Sequence, residues 1–330
     1  MMMATSKKKK KKKKGKKGKK GASFDPKSLI KPAIWAGVAI VAIVIVVLIA
    51  NWLRSLDAVA AFIEKYPGEY ELPEGAPVGF PAWLNWQHFL NMFFMLLIVR
   101  SGWLIRSTPK PDSFWTRDNT KFIKTKGEPK KISMNHLIHF SFDTLWVLNG
   151  VIFFILLFVT GQWMRIVPTS WEVFPNALSA ALQYASMNWP VENGWVNYNG
   201  LQQLAYFTTV FIATPLAMIT GLRMSEVWPI KGKFNDVYRV EHAAKVHFPV
   251  MIYFVAFTAV HVFLVFATAI VAGKGPFANL SHMFAAAPDK PILGLILFLV
   301  AVVVMAAAWV VIRPIFVAPV AGKFGNVTTR

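Results

Sequence analysis

Cysteine is missing from this sequence altogether. Disulfides, thiolate-held iron–sulfur clusters and covalent haem attachment through a C-x-x-C-H motif are thereby excluded, and any bound metal or cofactor has to be held by histidine, methionine or oxygen. Charge is scarce as well: only 16% of the 330 residues are Asp, Glu, Lys or Arg, and the acidic ones number 16. That is too little for the surface of an ordinary soluble domain. What fills the chain instead is 55% hydrophobic residues, with a mean hydropathy of +0.45.

The apolar residues are concentrated in six runs, at 33–53, 84–105, 141–163, 201–222, 247–272 and 291–312. Each is close to the roughly 20 residues a helix needs to cross about 30 Å of hydrocarbon. Continuous runs satisfy their backbone groups internally as helices and do not show the alternation of barrel strands. The sequence therefore predicts an all-α polytopic membrane protein with six transmembrane helices.

The net charge of +20 is misleading until it is divided. Lys7 to Lys14, Lys16, Lys17, Lys19 and Lys20 supply twelve of those charges within the first 32 residues. A Lys/Gly run buries no apolar surface, so residues 1–32 read as a disordered cytoplasmic tail that meets anionic lipid headgroups, not as a nucleic-acid-binding segment.

Placing that tail inside fixes the expected topology. Residues 54–83, with Asp57, Glu64, Glu69, Glu71 and Glu74 against Arg54 and Lys65, fall outside. The loop holding Arg106, Lys110, Arg117, Lys121, Lys124, Lys126, Lys130 and Lys131 falls inside, as does the one with Arg223, Lys231, Lys233, Arg239 and Lys245. Residues 164–200 carry only Arg165, Glu172 and Glu192 and are rich in tryptophan, as suits an outer interfacial loop. Both termini are then cytoplasmic.

The candidate chemistry lies in histidines. His247 and His261 are fourteen residues apart on the fifth run, about 21 Å of rise along one face of a helix. Histidine is costly within a membrane and marks a functional site by default. A low-spin b haem takes two axial imidazoles from different helices. His88 opens the second run from outside and matches the depth of His261; His139 opens the third from inside and matches His247. The four resolve into an outer pair, His88 with His261, and an inner pair, His139 with His247, each a candidate set of haem iron ligands. His136 competes with His139 from one turn earlier, but sits nearer the basic loop. Asp143, one turn after His139, is placed to accept from an imidazole or to exchange a proton with a reduced quinone. His242 and His282 fall in loop or interfacial positions and receive no ligand role.

These residues resemble the bacterial cytochrome b561 family, the membrane cytochrome b subunits of formate dehydrogenase, nickel-iron hydrogenase and thiosulfate reductase. The resemblance rests on the fourteen-residue spacing of His247 and His261, on Ser101-Gly102-Trp103, on His139-Phe140 ahead of Asn149-Gly150, and on Tyr198-Asn199 followed by Gln202 and Tyr206. It covers about residues 84–272. It implies a four-helix, two-haem core over that range, passing electrons between a quinone pool and a partner oxidoreductase, often of the molybdopterin or iron–sulfur type. The runs at 33–53 and 291–312 are then extra helices outside the core. Two alternatives stay open on the residues: a self-sufficient haem b reductase of a metal ion or small oxidant, and a haem-free transporter using the histidines as a proton relay. The latter is expected to show broken helices or an inverted repeat, and the sequence displays neither.

Overall fold

The computed structural model describes residues 30–330 apart from 122–123, 125–127, 191–192, 226–227 and 231. The polylysine tail up to residue 29, with Lys126, Glu192 and Lys231, lies outside the described residues. The helices in chain order are α1 (Ile30–Arg54), α2 (Asp57–Lys65), α3 (Ala82–Ser107), α4 (Met134–Val159), α5 (Val173–Ala185), α6 (Gly200–Phe207), α7 (Thr214–Met224), α8 (Phe234–Val237), α9 (Val240–Val271), α10 (Leu280–Ala285), α11 (Pro291–Val311) and α12 (Pro314–Ala321). Six helical stretches are long and apolar enough to cross a membrane: α1, α3, α4, Gly200–Met224, α9 and α11. The spanning part is all-α, as the hydropathy predicts.

Local chemistry sets where these spans begin. The Ser133 hydroxyl accepts from the backbone N–H of His136 and starts α4, and Asn199 with Gln202 forms a reciprocal capping box at the head of α6. Pro291 sits in the first turn of α11, where its missing N–H costs nothing. The fifth span starts earlier than its apolar run, at Val240, so His242 lies in the first helical turn and not in a loop. Between α6 and α7 the fourth span widens into a π-helical segment, Thr208–Ala213, a feature that hydropathy does not reveal.

α3 packs on α4 and α7 on α9, and at mid-depth Trp146, Ala213, Val250 and Phe254 form a buried cluster flanked by Phe94, Met95, Ile98 and Tyr253. The Trp146 indole donates to Asn91 Oδ1 at 2.6 Å and ties α4 to α3. α1 stands apart; among its residues Ala50 is buried, and its end is anchored where Asn51 Nδ2 donates to the Ser186 carbonyl and Arg54 to Ser186 Oγ.

The two ends of the bundle are built differently. At the basic end a three-stranded antiparallel sheet joins β1 (Ser113–Arg117) to β2 (Lys131–Ser133) on one side and to the C-terminal β3 (Gly325–Thr329) on the other. This sheet departs from a wholly α expectation because its strands lie in short polar segments with no readable alternation. The Trp115 indole donates to the Ala321 carbonyl and Lys121 Nζ to the carbonyls of Gly322 and Gly325, so the chain end is tied to the loop between the second and third spans.

At the opposite end two long loops interlock through backbone bonds, Gly200 N–H to Gly68 O and Gly79 N–H to Trp195 O, each 2.8 Å. Gly68 N–H donates to the Asn176 side chain and Tyr70 OH to Gln203 Oε1. Gly200 admits this crossing because a Cβ there would lie 2.7 Å from the Val173 carbonyl oxygen and 2.8 Å from Ala177 N. Gly200→Ala is therefore expected to destabilise the protein by about 1–3 kcal/mol, seen as a lower unfolding temperature in detergent; an unchanged temperature would show that the crossing loops yield.

Candidate cofactor site

The outer tier forms where the second turn of α3 meets the middle of α9. The rings of His88 and His261 have centres 6.2 Å apart and planes inclined at 58°. Phe257 stacks on His261 at 5.9 Å, Tyr206 meets the same ring edge-on at 6.3 Å, and Phe284 meets His88 edge-on at 5.9 Å. His88 Nδ1 is buried with no hydrogen-bond partner among the described residues.

In the inner tier, His139 comes from the second turn of α4 and His247 from the third turn of α9. Each is met by a hydroxyl from the helix packed against it: Ser101 Oγ lies 2.9 Å from His139 Nδ1, and Thr220 Oγ1 lies 2.8 Å from His247 Nδ1. Each hydroxyl also lies close enough to a carbonyl of its own helix to donate to it, Ser101 Oγ 2.7 Å from that of Leu97 and Thr220 Oγ1 2.5 Å from that of Leu216. With the hydroxyl hydrogen on that carbonyl, the oxygen accepts from Nδ1–H and Nε2 keeps the lone pair that a metal requires.

The residue after each hydroxyl is glycine. A Cβ on Gly102 would stand 3.1 Å from His139 Cε1, and one on Gly221 would stand 3.3 Å from His247 Cε1. Two helix pairs thus use one device, a hydroxyl followed by a glycine, to seat an imidazole. Asp143 Oδ2 lies 3.5 Å from His139 Nε2, with its side chain 35% exposed.

The remaining predicted residues are placed elsewhere. His136 Nδ1 lies 2.7 Å from Ser133 Oγ at the head of α4, which gives this ring a capping role. Arg100 donates to the Ile312 carbonyl at 2.7 Å and lies over the Trp309 ring, and Arg106 lies over Phe248, so both are committed to packing. His242 is exposed, whereas His282 is half-buried, stacked on Phe80 with centres 6.0 Å apart. Burial first, then the charges of Lys274 and Arg165, lowers the His282 pKa and favours its neutral form. Sequence reading missed the hydroxyl supports and Arg165, whose side chain is buried at the outer end; the one signal for it was an arginine in a loop otherwise almost free of charge.

The arrangement passes a direct test of fit. Two imidazoles sharing one metal, each about 2.1 Å from it and with ring centres roughly 1 Å further out, have centres about 6 Å apart; the outer pair shows 6.2 Å. No cluster of three or more metal-ligating side chains exists among the described residues. Paired imidazoles without further protein ligands suit a metal whose remaining ligands come from a macrocycle.

Comparison with known proteins agrees. A family model described as prokaryotic cytochrome b561 matches residues 79–279. A putative protein-methionine-sulfoxide reductase subunit, YedZ1, of Azospira oryzae is 28% identical over 198 residues, which cover 56% of this chain and 88% of that protein. No solved structure matches the chain.

Replacing Ser101 by Ala or Thr220 by Val removes an acceptor without removing an imidazole. Loss of such a supporting bond is expected to weaken cofactor retention at the inner tier about 10–100-fold, measured as haem lost on dilution or on challenge with apomyoglobin. Retention equal to wild type in both variants would show that the hydroxyls do not orient the rings.

Proposed function

From the premise that the chain belongs to the prokaryotic cytochrome b561 family and is a multi-pass bacterial membrane protein of the haem b electron-transfer type, we propose that it carries two haems b and conducts electrons across the bilayer. The observation that carries this reading is the approach of His88 to His261, with ring centres 6.2 Å apart; His139 and His247, each met by a hydroxyl of a neighbouring helix, are read as the second pair. His88 and His261 hold the outer haem and His139 and His247 the inner one. Bound haem b supplies a reversible one-electron couple.

The chain's own residues do the rest. Fourteen residues of α9 separate the tiers by about 21 Å, and Trp146, Ala213, Val250 and Phe254 fill the layer between with apolar side chains that exclude water. That dry layer also weighs against a histidine proton relay, which needs titratable groups or water between its carriers. Asp143, partly exposed beside the inner tier, gives and takes a proton at its carboxylate for a quinone, whose reduction consumes protons as well as electrons.

The partner reading is an oxidoreductase subunit of the molybdopterin or iron–sulfur type. The YedZ1 relative, described as a subunit of a putative protein-methionine-sulfoxide reductase, supports a reductase that draws electrons from the membrane. The basic loops are read as cytoplasmic with both termini by the charge rule, a reading supported by the sheet, which joins the C-terminal strand to the loop between the second and third spans.

His247→Ala and His261→Ala are each expected to leave one haem per chain. Each is also expected to abolish transfer from a quinol to an acceptor enclosed in vesicles; two haems retained in either variant, or none in both, contradicts the assignment. Asp143→Asn is expected to keep both haems while slowing quinol oxidation about 100-fold or more. An unchanged rate removes the aspartate from proton transfer.

A further inference from the structure

Among the described residues, five buried side-chain polar atoms have no hydrogen-bond partner: Trp83 Nε1, Asn85 Oδ1, Gln87 Oε1, His88 Nδ1 and Arg165 Nε. They are not scattered. Four lie in the first two turns of α3, and the fifth belongs to the turn Gln162–Arg165 that follows α4 at the same end. A buried polar atom left unpaired costs about 1–3 kcal/mol, and of these five only Arg165 Nε belongs to a charged group.

Arg165 is 1% exposed, and its guanidinium lies between the rings of Phe80 and Tyr198, 4.8 Å from each centre. Its terminal nitrogens donate to the carbonyls of Gly79 at 2.8 Å and Gly194 at 2.6 Å, while Nε–H has no acceptor. No carboxylate pairs with it among the described residues. A buried cation without an anion carries a desolvation cost of several kcal/mol. An anion at this place would offset it.

The outer tier lies one aromatic pair away. Tyr198, against which Arg165 rests, meets Tyr206 at 5.0 Å, and Tyr206 meets His261 at 6.3 Å. A haem bears two carboxylates on one edge of its ring. We infer that Arg165 binds a carboxylate of the outer haem and so fixes the rotation of that haem and raises its affinity for an electron.

This inference rests on the di-haem reading, and its test separates the two. The experiment is an equilibrium redox titration of the purified full chain, followed in the haem absorption bands, with the outer haem identified as the one missing from His261→Ala. Arg165→Gln removes the positive charge. It is expected to disfavour reduction of the outer haem about tenfold or more, roughly 59 mV for one electron, and to leave the inner haem unmoved. Arg165→Lys is expected to restore at least half of that shift, which a purely architectural role for the fork of carbonyl bonds would not do.

Unchanged potentials in Arg165→Gln, or equal shifts of both haems, overturn the inference while leaving the two-haem assignment standing. A wild-type protein without two haems overturns that assignment instead. Should Arg165→Gln fail to accumulate, Arg165→Met decides, since it keeps an apolar stem between the rings of Phe80 and Tyr198 and removes the charge: a lowered outer potential supports the inference and an unmoved one refutes it.

Discussion

A metal-binding imidazole inside a membrane is oriented by whatever accepts the proton of its other nitrogen. In lipid there is no water to accept it, and an unpaired ring N–H would favour the wrong tautomer or a different rotamer. The bond from each inner Nδ1–H to a hydroxyl on the neighbouring helix meets that requirement. The hydroxyls can accept because the carbonyls of Leu97 and Leu216 lie within reach of their hydrogens. Helix packing, ring orientation and metal-readiness therefore depend on one interaction used twice, and the glycine after each hydroxyl lets the ring approach closely enough to form it.

The same constraint sets the division of labour between the two ends. The inner tier is satisfied from within the bundle, whereas the outer tier sits under interlocked loops where several polar atoms have no protein partner. Those loops are held by backbone bonds between Gly68, Gly79, Trp195 and Gly200, and they bury Arg165 among aromatic rings. The basic end is capped by a small sheet that draws in the last strand of the chain. A bundle with one end built of hydroxyl supports and the other of unpaired polar atoms and a buried cation that has no acid partner among the described residues is chemically polarised along its axis.

Much of this was legible before any coordinates. Apolar run length set the six spans, with the third and fifth spans starting seven residues before their runs, because the cost of leaving backbone groups unpaired in lipid leaves helices as the solution for continuous runs. The approach of His88 to His261 was expected from charge-based topology, and the pairing of His139 with His247 is an expectation of the same kind. Other features left no trace in hydropathy. The π-helical segment at Thr208–Ala213 depends on a local change of hydrogen bonding that has no residue signature. The sheet pairs residues near 115 with residues near 327, a contact across the whole core. Ser101 and Thr220 read as ordinary small polar residues until the neighbouring helix shows what they face, and Arg165 acquires meaning only from the absence of an acid beside it among the described residues.

The central claim is that four histidines from three helices form two stacked metal sites. A cryo-electron map of the purified, haem-loaded protein tests it most directly. The account predicts two macrocycles, one bridged by His88 and His261 and the other by His139 and His247, with Ser101 and Thr220 bonded to the inner rings. A map with a single macrocycle, or with His139 or His261 turned toward lipid, contradicts it.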